Sequence, residues 1–335
     1  MSHVQLIHTY QYIISIENLL LAWKEFLKDK KSRKDVLGFE RNLMTNIIKL
    51  HNELLHKTYK HGSYEAFKID DPKPRDIHKA EVRDRLLHHT IYRMLYPYFD
   101  KKFIYDSYSC RVGKGTHKAI YRFKSFIKKV SKNDTKTCWV LKCDVKKFFA
   151  NIDHSILKEI LKKHIQDKNI LWLLENIIDS FYTSSSISDM ADIEKGLPLG
   201  NLTSQLLVNI YMNEFDQFVK HELKIKYYIR YADDFVVLSQ DKKFLEDILE
   251  KIKIFLENNL KLNLHPNKVF IKTIFSGVDF LGWVHFSNHR VLRTSTKKRM
   301  VRKLRENSKE EMRQSYLGML SHGDAYKLGQ TLKAS

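Results

Sequence analysis

The sequence predicts a mixed α+β fold in which helices pack on a sheet that carries several carboxylates on one face. Three observations lead to this prediction: an apolar strand that ends in Asp144, a hairpin that presents Asp233 and Asp234, and amphipathic helices before, between and after them. The 335 residues, with 43% hydrophobic content, allow one large domain or two to three subdomains with an ample core.

The hairpin is the segment 229–238, Ile-Arg-Tyr-Ala-Asp-Asp-Phe-Val-Val-Leu. Its β-branched and aromatic residues flank Asp233 and Asp234, a pattern typical of strand, tight turn and strand. Two unit charges about 4 Å apart repel by roughly 4 kcal/mol at an effective dielectric near 20, so this pair favours a bound cation. Hard carboxylate oxygens suit Mg²⁺, which shares phosphate oxygens. Taken alone, such a pair in a hairpin is usually just a turn, because Asp tolerates turn geometry.

Asp144 adds a third carboxylate in a matching context, because it ends the apolar stretch 138–143. A strand that delivers one Asp and a hairpin that delivers two can together hold two divalent ions about 3.5–4 Å apart. The three residues therefore predict a metal-dependent phosphoryl-transfer site. Asp153 is expected to cap the helix that follows this strand.

The chain is strongly basic, with a formal net charge of +20 and a pI near 9.6. Basic residues occur along its whole length, which favours a polyanionic partner; a basic structural protein or a membrane-surface binder is the alternative. Cys110, Cys138 and Cys143 have neither metal-ligand nor disulfide spacing, which favours a reducing compartment. We find no signal peptide and no apolar run of about 18 residues, so we expect no membrane span.

The N-terminal third is predicted to be helical apart from one short strand. Residues 8–60 carry two apolar stripes at helical spacing, separated by the basic run 28–34. A strand at 64–69 is followed by Lys73 and Arg75, and Arg83 and Arg85 then open a helix. These four cations are candidates for contacting phosphate.

Two glycine-containing loops are candidate phosphate or nucleotide contacts. Gly113 and Gly115 permit a tight turn beside Arg111 and Lys114, which could grip a triphosphate or a backbone phosphate. In the second loop, residues 195–205, Gly200 allows a ligand close to the backbone, and Ser204 is predicted to cap the next helix. Each loop is also compatible with a plain connection into a helix.

Beyond the hairpin we predict an amphipathic helix at 244–260 and strands at 269–274 and 278–286. The last 45 residues are basic and are predicted to form a helical module with one cationic face. That face includes Arg293, Lys297, Lys298 and Arg302. A solvated helix is the alternative, but the neighbouring acidic site favours an element that follows a nucleic-acid duplex.

Taken together, these motifs resemble those of reverse transcriptases, in the family's order and from roughly Ile16 to the end. Asp144 matches the first catalytic Asp of the palm, and the Tyr-Ala-Asp-Asp that ends at Asp234 matches the signature tetrapeptide. Residues 277–283 are similar to the primer grip, and Lys268 falls where the family has a Lys near the leaving group. The resemblance implies a right-hand polymerase fold, with an N-terminal helical extension at 1–62, fingers at 63–137, a palm with inserted fingers helices at 138–286 and a helical thumb at 287–335.

One departure points to a subgroup. Most bacterial reverse transcriptases have Gln before the Gly of the fourth motif and Ser-Pro after it, whereas here Leu199 precedes Gly200 and Gln205 follows Ser204. This form resembles the enzymes of diversity-generating retroelements, as do segments 73–75, 109–117 and 321–327. The resemblance implies error-prone copying at template adenines, a small basic accessory protein, and a cytoplasmic location in a bacterial, archaeal or phage-infected cell.

The resemblance also implies residue roles. Asp144 and Asp233 bridge two Mg²⁺ ions, for which Mn²⁺ can substitute, with Asp234 as a secondary ligand and Val145 contributing its carbonyl. Phe149 acts as the steric gate against ribose, or simply packs in the core beside Phe148. The implied nucleotide contacts are Arg75, Arg111, Phe149, Leu199, Gly200, Gln205 and Lys268, and the implied nucleic-acid contacts are Lys73, Arg83, Arg85, Lys114, Arg293, Lys297, Lys298 and Arg302.

The implied partners are template RNA, the RNA–DNA hybrid and dNTPs. Two alternatives remain at this point. One is a reverse transcriptase that serves in defence against phage. The other is a non-catalytic RNA-binding or splicing cofactor, which would have no need of three carboxylates.

Overall fold

The computed structural model describes residues 9–70, 74–181, 194–306 and 309–334. The chain begins with four helices: α1 (Tyr10–Ile14), α2 (Ile16–Phe26), α3 (Lys34–Glu40) and α4 (Leu43–Leu55). The predicted apolar stripes are buried, with Leu19 and Trp23 of α2 and Ile47 and Leu50 of α4 all in the core. The basic run between them consists of turns until α3 begins at Lys34.

A two-stranded hairpin and two long helices follow. The strands β1 (Tyr64–Ile69) and β2 (Arg75–Ala80) pair antiparallel, with Tyr64 opposite Ala80. Lys73 lies outside the described residues. The helices are α5 (Val82–Asp100), which begins just before Arg83 as predicted, and α6 (Thr116–Val130).

The central sheet is antiparallel throughout and has four strands. They are β3 (Trp139–Asp144), β4 (Tyr228–Tyr231), β5 (Asp234–Ser239) and β6 (Phe270–Thr273), and their order in the sheet is β4-β5-β3-β6. Between β3 and β4 run α7 (His154–His164), α8 (Lys168–Asp179) and α9 (Leu202–Gln217), and between β5 and β6 runs α10 (Lys242–Leu260). This succession of elements is the one that the sequence predicts.

The sheet is covered on both faces, and the side chains alternate between them. Leu141 and Val237 point into the large core that also includes residues of α9 and α10. Val140 and Val236 point to the opposite face, where α6 covers them. This period of two explains why neighbouring apolar residues of β3 and β5 are all buried.

Two local predictions need correction. The segment 278–286 is a tight hairpin rather than one strand, because Leu281 and Gly282 both adopt positive φ angles of 51° and 86° and reverse the chain. Ser204 does not cap a helix: α9 already begins at Leu202, so Ser204 lies within its first turn.

The C-terminal part consists of a small sheet and three helices. The strands are β7 (Val278–Phe280), β8 (Trp283–His285) and β9 (Arg290–Leu292), and the helices are α11 (Thr294–Glu306), α12 (Glu310–Leu320) and α13 (Tyr326–Ala334). Trp283, Leu292, Met300 and Leu320 form a separate small core with Ile120 of α6. In the described part of the chain, no helix combines the length and the apolar character that crossing a bilayer requires.

Candidate active site

Three carboxylates meet at one end of the central sheet. Asp144, the last residue of β3, lies directly opposite Asp234, the first residue of β5. Asp233 lies in the turn between β4 and β5, and its backbone carbonyl accepts a hydrogen bond of 3.0 Å from the Val145 amide. By strand alternation Asp144 and Asp234 share the face of the sheet that carries Val140 and Val236. The side chains that the sequence analysis grouped together are therefore adjacent.

A buried ion pair between Arg230 and Asp216 supports the turn that carries Asp233. Ala232 adopts a φ angle of 56°, a left-handed conformation that a non-glycine residue keeps only when its surroundings enforce it. Its carbonyl accepts a 3.1 Å hydrogen bond from Nη1 of Arg230. The same guanidinium bonds both carboxylate oxygens of Asp216, at 2.8 and 2.6 Å, and both side chains are fully buried. Neither residue was identified from the sequence.

Burial and mutual repulsion act on the acidic pair. Burial raises the pKa of Asp233, and the neighbouring charge of Asp144 raises it further. Burial raises the pKa of Asp234 to about 7 against the opposing effect of Lys142. Oδ1 of Asp234 is buried and has no hydrogen-bond partner among the described residues. A charged oxygen left in this state is costly, so the site favours a proton or a cation.

Two lysines partly neutralise these carboxylates. Nζ of Lys268 donates to Oδ1 of Asp144 at 2.8 Å, and Nζ of Lys142 lies 3.5 Å from Oδ2 of Asp234. The segment that carries Lys268 is fixed beside β3, because the His265 amide donates to the Asp144 carbonyl at 2.7 Å. Lys268 was a candidate from the sequence. Lys142 was not a candidate, because a single Lys inside an apolar strand matches no motif for a functional site.

The donor set fits divalent cations. It consists of carboxylate oxygens, one of them unpartnered and buried, on a rigid sheet edge. Hard oxygen ligands of this type suit Mg²⁺ and Mn²⁺. Val145 lies next to Asp144 and is buried, so its backbone belongs to the same edge.

Four of the proposed nucleotide contacts lie on elements that border the acids. Arg75 is exposed at the start of β2; although burial dominates the pKa of Asp233, the charge of Arg75 acts to lower it. Phe149 is half-buried against Phe148, with ring centroids 5.6 Å apart. The loop with Leu199 and Gly200 is attached to β2, because the Leu199 carbonyl accepts a 3.1 Å hydrogen bond from the amide of His78.

Gly200 needs its lack of a side chain. Its φ angle is 106°, and an added Cβ would come within 3.0 Å of Cγ2 of Ile77 in β2. Gln205 lies one turn into α9 and lines a cavity together with Gly200 and Arg85. The loop with Leu199 and Gly200, the β1–β2 hairpin and the start of α9 thus form one continuous surface.

Several cations proposed as phosphate contacts are engaged within the fold instead. The Arg111 guanidinium donates to Oδ1 of Asp100 at 2.7 Å and to three backbone carbonyls, and its side chain is only 6% exposed. Arg111 therefore holds the glycine loop together rather than presenting free donors for a triphosphate. Nζ of Lys114 donates to the Tyr105 carbonyl at 2.8 Å and lies over its ring.

The two arginines that open α5 are likewise paired. Arg83 bonds Glu53, Asp84 and the Lys60 carbonyl. Arg85 bonds Asp35 across the gap to α3. Both guanidiniums join α5 to the N-terminal elements, and their contact with nucleic acid stays a prediction.

The predicted cationic face is present on α11. Lys297, Lys298 and Arg302 are exposed, and together with Arg305 they line one open groove. Arg293 precedes this helix and pairs with Asp279 of β7. Arg293 therefore anchors the helix to the small sheet.

Comparisons with known proteins agree with this geometry. Residues 58–285 match the family model described as reverse transcriptase (RNA-dependent DNA polymerase). Protein YkfC of Escherichia coli is 25% identical over 296 aligned positions, which cover 76% of this chain and 75% of YkfC. The group II intron-encoded protein LtrA of Lactococcus lactis is 23% identical, and the alignment covers 87% of this chain but 58% of LtrA.

A solved structure supports the fold. The structure of apo telomerase from Candida tropicalis, truncated from its C-terminal domain, is similar with a TM-score of 0.52 and 12% identity, over 70% of this chain and 55% of that one. The shared fold is the right-hand polymerase fold. The putative COX1/OXI3 intron 2 protein of Saccharomyces cerevisiae is 22% identical over 80% of this chain, which spans 38% of that relative's length.

Proposed function

This chain belongs to the reverse transcriptase family and is an RNA-directed DNA polymerase, and on that premise we propose that Asp144, Asp233 and Asp234 carry its nucleotidyl transfer. The single observation that supports this assignment is the pairing of β3 with β5, which brings the three carboxylates together at a sheet end beside Lys268. The substrates are a primed template RNA and dNTPs. The product is cDNA paired with its template.

In the proposed reaction the primer 3′-hydroxyl oxygen forms a bond to the α-phosphorus of the dNTP, the bond from that phosphorus to the pyrophosphate oxygen breaks, and the hydroxyl proton passes to solvent water. Such transfers depend mainly on positioning and charge neutralisation. Asp144, Asp233 and Asp234, with the Val145 carbonyl, would hold two divalent ions, Mg²⁺ or Mn²⁺, which supply that neutralisation when bound. Lys268 exchanges Asp144 for the departing pyrophosphate and gives it a proton.

The other residues select and orient the nucleotide. Arg75 projects from β2 toward the triphosphate, and the half-buried ring of Phe149 fills the space that a ribose 2′-hydroxyl needs. Leu199, Gly200 and Gln205 line the base pocket. In this scheme β1, β2, α5 and α6 act as fingers, the central sheet as palm, and α11 to α13 as a thumb whose exposed cations follow the RNA–DNA hybrid.

Replacement of both turn acids tests the assignment. Asp233→Asn with Asp234→Asn should abolish dNTP incorporation on a primed RNA with Mg²⁺, because each side chain keeps one oxygen but loses the negative charge that would hold the divalent ions. Binding of the same RNA, measured by a gel shift, should stay within about threefold. Asp247→Asn, an exposed carboxylate on α10, is the matched control and should copy at the normal rate. Full-rate synthesis by the double variant would refute the proposed site.

We further propose that the enzyme is of the diversity-generating type and copies template adenines with low fidelity. The supporting observation is Leu199, whose backbone is fixed to β2 while its side chain replaces a hydrogen-bonding Gln of related enzymes. A pocket with fewer hydrogen bonds discriminates less between bases. The accessory protein and a cytoplasmic location belong to this same proposal, and a reverse transcriptase that serves in defence against phage is the alternative to it.

Leu199→Gln tests the fidelity proposal. The variant should make several-fold fewer errors opposite template A, with errors opposite the other bases unchanged, as read by sequencing of the cDNA. Leu55→Gln, at an exposed position at the end of α4, is the control substitution. An unchanged error spectrum in Leu199→Gln would remove Leu199 from the account of fidelity.

A splicing cofactor is the second candidate, favoured by the similarity to intron-encoded proteins. The chain spans well under two thirds of those relatives, so the comparison bears on the shared segment only. A splicing role would survive the Asp233→Asn and Asp234→Asn double substitution, whereas cDNA synthesis would not. Assaying both activities on one variant therefore separates the two functions.

A further inference from the structure

A second cluster of metal-ligating groups lies outside the active site, where the strand-like segment 194–197 meets the start of α7. The Glu194 carbonyl accepts a 3.2 Å hydrogen bond from the His154 amide, and the Gly196 amide donates to the Ile152 carbonyl at 2.8 Å. These bonds fix Glu194 beside His154. They also fix the start of the loop that reaches Leu199 and Gly200.

His154 is buried, with 1% of its surface exposed, and its two ring nitrogens differ. Nε2 lies 2.7 Å from the Gly196 carbonyl, which can only accept, so Nε2 carries the proton. In the neutral ring Nδ1 then has a free lone pair. Nδ1 is buried and has no hydrogen-bond partner among the described residues. The nearest carboxylate oxygen, Oδ1 of Asp179 at the end of α8, is 3.7 Å away, beyond hydrogen-bonding distance.

We propose that Nδ1 of His154 and the carboxylates of Asp179 and Glu194 form a binding site for Zn²⁺ or a similar first-row transition ion, separate from the catalytic carboxylates. One ligand atom from each residue lies within 4.8 Å of the others, so a closure of about an ångström brings them to coordination distance around one ion. The imidazole nitrogen selects against Mg²⁺, which prefers oxygen. The Nε2 hydrogen bond to a carbonyl is the usual outer support of a metal-bound His.

Lys158 is the competitor for this site. Its Nζ lies 2.6 Å from Oδ1 of Asp179 and 3.9 Å from Glu194, which is where a cation would be held. The side chain is 21% exposed, so its ammonium can move into solvent when an ion arrives. Removal of this positive charge should therefore strengthen metal binding, whereas removal of a purely structural salt bridge would only weaken the fold.

A bound ion would join three elements: the end of α8, the start of α7 and the segment that enters the Leu199 loop. Such a link stabilises the native chain because the unfolded chain does not bring the ligands together. The bound ion would also restrain the Leu199 loop without contacting the reacting atoms.

The test is a Zn²⁺ titration of the full chain that carries Asp233→Asn and Asp234→Asn, in millimolar Mg²⁺, with a chelating dye as competitor. This background weakens metal binding at the catalytic acids. We expect one equivalent of Zn²⁺, a Kd raised at least tenfold by Glu194→Gln or His154→Gln, and a Kd lowered by Lys158→Met. Glu175→Gln, one turn earlier on α8, is the matched control and should bind as the parent does.

Thermal unfolding gives an independent readout. Zn²⁺ should raise the Tm of the parent and of Glu175→Gln but not that of Glu194→Gln. Glu194 has a largely exposed side chain, so its substitution keeps the test valid if His154→Gln does not fold. Equal Zn²⁺ affinity in all variants, or no binding by the parent and Lys158→Met, would overturn the proposal.

Discussion

Arg230 determines where the acidic turn lies, through a guanidinium that is completely buried. Its guanidinium donates hydrogen bonds to the Asp216 carboxylate, the Ser107 hydroxyl and the Ala232 carbonyl. The first two contacts fix the guanidinium, which in turn holds Ala232 in its left-handed conformation. Breaking a buried pair of this kind by removing one partner typically costs about 3–5 kcal/mol, because a charge is left unpaired. Preorganisation of the catalytic carboxylates therefore depends on residues behind them.

Asp234 gives the site a defined pH dependence in the absence of divalent ions. Its folded pKa is about 7, above the value near 3.9 of an unfolded Asp, so the native chain holds a proton that the unfolded chain releases between these values. Stability from this group is present at low pH and is lost as the pH rises toward 7. Asp234→Asn keeps a neutral group at every pH, so it should gain stability over the parent as the pH rises from 5 to 8. The gain is at most about 3 kcal/mol, because only the two pH units between 5 and the folded pKa of about 7 contribute.

Urea unfolding followed by circular dichroism in a chelating buffer measures this difference. Asp247→Asn, which removes an exposed carboxylate on α10, is the control variant for this comparison. The same linkage requires apparent Mg²⁺ affinity to increase from pH 6 to 7, since binding displaces the proton. A stability difference for Asp234→Asn that is constant from pH 5 to 8 would contradict the assigned protonation.

At the residue scale the sequence predicted acids better than their cationic partners. Asp144, Asp233 and Asp234 stand at strand ends, where local pattern alone indicates exposure to a ligand. Arg111 beside two glycines has the same local appearance as a phosphate contact, yet Asp100 and backbone carbonyls take its donors. These partners lie within 11 residues of Arg111, but whether they reach its donors depends on how the end of α5 and the next loop fold back, and the glycine pattern does not contain that information.

At the scale of elements, periodicity predicted helices and the central strands, and short reversals were the main failure. The β7–β8 hairpin was expected as one strand, since most of its residues are apolar. How one element packs on another could also not be predicted from the sequence. The fixation of the Leu199 loop to β2, for example, is made by backbone atoms and by Asn201 bonding the His78 carbonyl.

The C-terminal helices dock on the small sheet through Gly323, between α12 and α13. A Cβ at this position would come closer than 3 Å to several atoms of the Trp283 ring of β8, so Gly323→Ala forces the connection away from the sheet. We expect faster amide hydrogen exchange across residues 294–334 and shorter cDNA products per binding event. Both follow because the helices would be held less firmly beside the sheet.

Gly318→Ala is the matched control, because among the described residues no heavy atom outside the adjoining backbone of its own helix lies within 4 Å of the added Cβ. This change within α12 should leave exchange and product length as in the parent or slightly improve helix stability. If both glycine variants exchange alike, the contact between Gly323 and Trp283 does not hold the helices in place.

At the scale of the whole molecule, the composition predicted a polyanionic partner, and the fold distributes the charge unevenly. Many of the basic side chains are neutralised by neighbours, as Arg83, Arg111 and Arg230 are. Net charge alone therefore does not say where a nucleic acid binds. The exposed cations Lys297, Lys298 and Arg302 of α11 line one open groove, which concentrates positive potential on one surface.

Replacing Lys297, Lys298 and Arg302 by Gln should weaken binding of an RNA–DNA hybrid and lower the salt dependence of that binding. Each lost phosphate contact reduces the slope of log K against log salt by about 0.9, so three contacts reduce it by roughly 2–3. The weakening should be uniform across hybrid sequences, because phosphate contacts carry no base information. Fluorescence anisotropy at several salt concentrations measures both the affinity and the slope.

The matched control replaces three lysines of α10 by Gln, namely Lys243, Lys251 and Lys253. These lysines are also exposed, and their replacement changes the net charge by the same amount. If the hybrid lies along α11, the α10 variant keeps the slope of the parent, because screened charges farther than about 10 Å from the phosphates contribute little. If both variants lower the slope equally, binding depends on diffuse net charge. The α11 groove would then lose its role as the surface that holds the duplex during synthesis.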